Sequence, residues 1–196
     1  MNNNQLARED LLSLEEYSNQ RQDFRAKVME HKKNRQVLIG EHVALYFEDR
    51  LTMQYQIQEM LRIERIFESE PIQEELDAYN PLIPSGSDLK ATMMIEYADE
   101  EERREALIRL KDVEDTVWVQ VKGFERVYAV ADEDLERSND EKTSAVHFMR
   151  FTLEAEMVAA AKQGADLSLG VAHAAYPLSV EPLPNNIRDS LCADFN

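Results

Sequence analysis

The chain has 196 residues, with 22 Lys and Arg against 39 Asp and Glu, a formal net charge of −17. That acidity argues against nucleic acid or an anionic membrane as a general partner, because phosphates demand a basic face. The length suits a single domain over 1–196, with 1–35 as an N-terminal helical segment, and 43% hydrophobic content argues against disorder.

Residues 10–34 are expected to be helical, with Leu11, Leu14, Tyr17, Phe24 and Val28 at helical spacing. Ser13 followed by Glu16 spells a capping box. Arg21, Arg25, Lys27, Lys32, Lys33 and Arg35 make the second half basic, as a solvated face or an anion-binding one. Residues 36–40 and 42–48 alternate as a hairpin turning at Gly40-Glu41. Thr52 is expected to cap a helix over 52–69 whose apolar stripe is Met53, Ile57, Met60, Leu61, Ile63 and Phe67. Pro71 opens a second helix to Tyr79, and the loop 80–88 is a candidate boundary.

Residues 89–97 then read as a strand, 99–111 as a charged helix, and 116–121 with 125–130 as a hairpin around Lys122-Gly123. An acidic loop over 132–141 precedes a strand over 144–151 and a helix over 154–162. Strands at 167–171 and 178–180 and a helical turn at 187–191 close the chain. Hairpins with helices clustered early and late make the class α+β, an antiparallel or mixed sheet with helices packed on one face.

The lone Cys192 excludes an internal disulfide framework or a cysteine-rich metal site within the chain, and points to a reducing cytoplasm. The opening residues lack the apolar stretch of a secretory signal, and no apolar run approaches the ~20 residues of a membrane span. Glycines at 40, 86, 123, 164 and 170 spell neither a dinucleotide fingerprint nor a phosphate-binding loop. His31, His42, His147 and His173 stand apart, without the spacing of a zinc protease or a di-iron bundle. The acidity is concentrated in 67–141, which holds 8 basic and 22 acidic residues, net −14.

Two polar clusters carry the chemistry. Gln54, Gln58, Arg62 and Arg65 share one face of the helix over 52–69, with Glu59 placed to pair with Arg62. They form either a solvated row or a guanidinium and amide row that grips a carboxylate or phosphate. In the second cluster, six acids precede Lys142 and a strand on which His147, Met149 and Phe151 face one side. His147 is either a hydrogen-bonded core-edge histidine or a metal ligand or acid–base group, with Glu133 or Glu141 nearby. The acid spacing does not match the calcium-binding helix–loop–helix motif.

Leu14-Glu-Glu-Tyr17, Phe47-Glu-Asp-Arg-Leu-Thr52, Gln56-Ile-Gln-Glu-Met-Leu-Arg-Ile-Glu-Arg65, Ile72-Gln-Glu-Glu-Leu-Asp-Ala-Tyr-Asn-Pro81 and Lys142-Thr-Ser-Ala-Val-His147 stand in order. Together they resemble a bacterial family known as domain of unknown function 3501, from Leu11 to about Asp194. The resemblance implies a redox or peroxide-stress setting, because the family's genes tend to lie beside a rubrerythrin-like protein and an iron–sulfur oxidoreductase. Its motifs single out Gln56, Gln58, Arg62, Arg65, Asn80 and Lys142 for binding an anion or a partner. Glu59, Glu75 and His147 are the candidate ligands of Fe, Mn or Zn. The segment after Gly164 is less similar, so the resemblance assigns no role to His173 or Cys192. Three functions follow as expectations: an acidic accessory protein docking on a redox partner, a metal-dependent enzyme or metal-binding protein, and a small-anion binding module.

Overall fold

Ser13 accepts a hydrogen bond from the Glu16 amide at 3.3 Å, and the Glu16 carboxylate accepts one from the Ser13 amide at 3.0 Å. This capping box starts helix α1 (Leu14–Lys32) in a computed structural model that describes residues 4–133, 137–139 and 141–196. Helix α2 (Arg50–Glu64) begins earlier than expected, because Asp49 and not Thr52 is its cap. The Asp49 carboxylate accepts from the Thr52 amide, and the Thr52 hydroxyl accepts from the Asp49 amide, each at 2.9 Å. The helix also ends earlier than expected. Arg65 takes the left-handed conformation (φ 57°), and the Ile66 amide donates to the Leu61 carbonyl at 2.9 Å. The apolar stripe therefore stops at Leu61, leaving Ile63 and Phe67 62% and 71% exposed. Helix α3 (Ser69–Tyr79) follows, with Pro71 in its first turn.

These helices belong to one of two units, residues 1–34 with 48–85. Its core is Leu6, Met53, Ile57, Leu61, Ile72, Leu76 and Ile83. The other unit, 35–47 with 86–196, carries the sheets. The strands are β1 (Gln36–Ile39), β2 (Val43–Glu48), β3 (Asp88–Ile95), β4 (Val117–Val121), β5 (Val127–Tyr128), β6 (Val130–Ala131), β7 (Val146–Thr152), β8 (Leu167–Val171) and β9 (Ser179–Val180). They divide between two sheets, ordered β1-β2-β3-β7-β6 and β5-β4-β8-β9. Antiparallel registers include Ala91 opposite Met149 and Val119 opposite Leu169. The chain changes sheets at Ala129, whose amide donates to the Val117 carbonyl at 2.8 Å: β5 pairs with β4, but β6 pairs with β7. Helices α4 (Glu100–Arg109), α5 (Ala155–Lys162) and α6 (Asn185–Cys192) complete the α+β fold.

Alternation fixes the strand faces. Met149 and Phe151 on β7 are buried while Phe148 and Arg150 are only partly so. The β1–β2 turn needs Gly40, which sits at φ 66°. Tyr176 locks that turn: its hydroxyl donates to the Ile39 carbonyl at 2.6 Å and accepts from the His42 amide at 3.1 Å. Arg35, expected on the basic helix face, is instead 2% exposed. It donates to the Phe47 and Ser190 carbonyls, each at 3.1 Å, and pairs with Asp194 at 2.5 Å. Its basic neighbours in sequence hid a cation that belongs to the other unit's interior.

Candidate functional site

On α2 the helical period brings Glu59 to the side facing α1. Its carboxylate accepts from the Tyr17 hydroxyl at 2.6 Å, from Arg21 at 2.7 and 2.8 Å, and from Arg62 at 3.2 Å. The Arg21 fork is the main influence that holds Glu59 down at about 2, against the opposing effect of burial and with help from Tyr17 and Arg62. Burial and then Glu59 push the Tyr17 phenol up.

The other members of the expected row act as ties within this unit. Gln58 is fully buried, and its amide accepts from the Leu12 amide at 2.6 Å and donates to the Leu12 carbonyl at 3.3 Å. Gln54 donates to the Asp10 carbonyl at 2.6 Å. Asn80 grips Leu6 in the same reciprocal way, at 2.7 and 2.9 Å. Gln56 is half-buried beside the Tyr79 phenol, and Glu75 is held up by burial and by the neighbouring Glu64 and Glu74. Arg65 leaves the row, because it is the left-handed residue that ends α2. The Arg62 Nε is buried without a hydrogen-bond partner.

In the sheet unit His147 is fully buried on β7. Its Nδ1 lies 2.6 Å from Asp132, and its Nε2 lies 3.0 Å from the Ser144 carbonyl and 2.9 Å from the Thr143 hydroxyl. Thr143 passes its own proton to Glu114 at 2.7 Å, and Ser138 donates to the other Glu114 oxygen. The ring is hydrogen-bonded at both nitrogens, with Asp132 on one side and Glu114 reached through Thr143 on the other. Burial raises the Glu114 carboxyl, but its Ser138, backbone and Thr143 hydrogen bonds and His147 bring it below the ordinary range. Asp132 also accepts from the Phe148 amide at 3.0 Å and from Arg137 at 3.2 Å.

With Thr143 1% exposed beside His147, this constellation cannot receive a substrate; it anchors both ends of the acidic loop to β7. The acids that reach His147 are Asp132 and Glu114, not the expected Glu133 and Glu141: Glu133 pairs with Arg150 at 2.7 Å, and Glu141 is exposed. Residues 134–136 and 140 of the expected acidic loop lie outside the described residues. Lys142 has an exposed side chain, and its amide donates to Asn139 at 2.9 Å.

Among the described residues, no three of His, Cys, Asp and Glu are grouped to hold a metal ion. Glu59 and Glu75 lie in the helical unit and His147 in the sheet unit, and both His147 ring nitrogens already have hydrogen-bond partners. Cys192 is half-buried, with its thiol pushed up by burial and directed at the Ala161 carbonyl at 3.6 Å. His173 bridges the Lys111 carbonyl at 3.0 Å and the Ala175 amide at 3.2 Å.

One accessible concavity of the sheet unit is an open cleft of about 700 Å³ beside β3 and α4. His42 and Tyr97 stack in its wall, ring centres 3.8 Å apart and 11° from parallel. Glu41 and Glu96 line it, and Ala98 leads directly into the exposed Asp99, Glu100, Glu101 and Glu102. Tyr46 fixes Glu96 by donating to its carboxylate at 3.0 Å, and burial pushes the Tyr46 phenol up. Arg103 is the one cation in the lining. The stacked pair was not legible in the sequence, because His42 and Tyr97 come from distant segments.

Among the described residues, no helix is long and apolar enough to cross a membrane. No curated protein matches the chain. A solved structure of a novel protein of unknown function from Burkholderia pseudomallei is similar throughout, at 51% identity and a TM-score of 0.92, over 97% of this chain and 99% of that one. The family model described as protein of unknown function (DUF3501) matches residues 5–195. With the motifs from Leu14 to His147 inside that span, the chain belongs to the DUF3501 family.

Proposed function

We propose that the protein is an acidic accessory protein that docks on a basic surface of a redox partner. The observation that carries this reading is the cleft in which carboxylates surround the stacked His42–Tyr97 pair. Glu41 and Glu96 line it against Arg103, and the exposed acids opening α4 follow directly in sequence, with Glu101 paired to Arg104. Acids so placed accelerate encounter with a lysine- or arginine-rich surface and fix its register. The aromatic faces add a site for a guanidinium or ammonium, worth about 0.5–1 kcal/mol when solvent reaches it. The buried His147 cluster holds β7 and the acidic loop together on the same unit.

The partners to test are the iron–sulfur oxidoreductase and the rubrerythrin-like protein that the family resemblance implies. The expected result is a complex with one of them that weakens steeply as salt rises. The variant Glu41→Gln/Glu100→Gln/Glu102→Gln removes three exposed charges and should slow association while preserving the fold. Equal association by the variant would remove the cleft from the docking surface.

A further inference from the structure

The helical unit contains another concavity, of about 330 Å³, remote in sequence from the carboxylate cleft. Leu61 and Ile72 form its buried floor, and Leu11, Leu14 and Ile66 its walls. Phe67 stands at its edge, 71% exposed, because the left-handed Arg65 turns the chain out of α2 just before it. Two charged side chains line the recess. Glu16 is committed to Ser13 through the capping box. The exposed Arg8 guanidinium has no partner among the described residues.

We infer that this recess binds a small carboxylate with a hydrocarbon body, its chain on Leu61 and Ile72 and its carboxylate on Arg8. The volume lies at the lower end of the roughly 300–1,000 Å³ of small-molecule pockets, which suits a short aliphatic acid. Seven of the ten lining residues are apolar, and with Glu16 and Ser13 bonded to each other in the capping box, Arg8 is the polar group left to orient a ligand. Arg8 supplies the planar fork that matches a carboxylate. The ligand would cover Phe67, which no described side chain buries. This site is independent of the docking cleft, and either can stand without the other.

Calorimetric titration with octanoate, below the concentration at which it forms micelles, tests the inference. The expected result is saturable one-to-one binding, weakened about tenfold by Arg8→Gln and by Phe67→Ala, with octylammonium binding at least about tenfold more weakly than octanoate. Arg8→Gln removes an exposed side chain, so an unchanged melting temperature verifies its fold. Absent or unsaturable octanoate uptake, equal binding by Arg8→Gln, or equal affinity for octylammonium would each overturn it. So would self-association through Phe67 in place of octanoate binding, read by sedimentation at increasing protein concentration.

Discussion

The Nδ1 of His147 lies 2.6 Å from the Asp132 carboxylate, joining the start of the acidic loop to the buried face of β7. Glu114 completes the arrangement through Thr143, so both ring nitrogens of one buried histidine are tied to carboxylates.

Removing Asp132 leaves a buried His147 ring nitrogen and the Phe148 amide without their hydrogen-bond partner. Asp132→Ala should lower stability by about 3 kcal/mol, read as a shift in the urea midpoint at unchanged slope. A loss below about 1 kcal/mol would mean that water replaces the carboxylate and the cluster contributes little.

Glu59 predicts an acid-sensitive helical unit. Its folded value of about 2 lies below the ordinary 4.5, so its contribution is fully present above pH 4.5 and is lost as pH falls toward 2. The size is about 1 kcal/mol, because the Arg21 partner is 36% exposed and solvent screens the pair. Glu59→Gln should be less stable than the natural chain at neutral pH, and the gap between their melting temperatures should close over that window. A constant gap would contradict the assignment.

How much of this was legible in the sequence depended on range. The Ser13–Glu16 cap and the alternation along β7 are local patterns, and both appear as expected. Asp49 displaced Thr52 as a cap because a carboxylate and a hydroxyl three residues apart can exchange roles, and both spell a helix start. Arg35 looked like the end of a basic helix face because its partner Asp194 stands at the far end of the chain. His147 was visible as a lone histidine on an apolar strand, but Asp132 and Glu114 could not be chosen from among so many acids. The division into two sheets turns on Ala129, which no periodicity marks.

Gly40→Ala should be among the most damaging single-methyl changes. The backbone there is left-handed, and a Cβ would lie 2.5 Å from both the Tyr176 hydroxyl and the Leu178 Cδ1. A cost of at least about 2 kcal/mol is expected in chemical denaturation. A near-neutral result would show that the Tyr176 lock on the turn is loose.

Arg35→Ala removes the guanidinium paired with Asp194 and the donors to the Phe47 and Ser190 carbonyls. The expected loss is about 3–5 kcal/mol by thermal or urea unfolding. A change within about 0.5 kcal/mol would place Arg35 among the ordinary surface residues.

Docking through the acidic cleft is tested most directly by the association rate with the purified iron–sulfur oxidoreductase and rubrerythrin-like partners across a salt series. The predicted result is a rate with one of them that falls steeply with ionic strength and is reduced in the Glu41→Gln/Glu100→Gln/Glu102→Gln variant. No complex with either partner at low salt, or a rate indifferent to both salt and the variant, would contradict it.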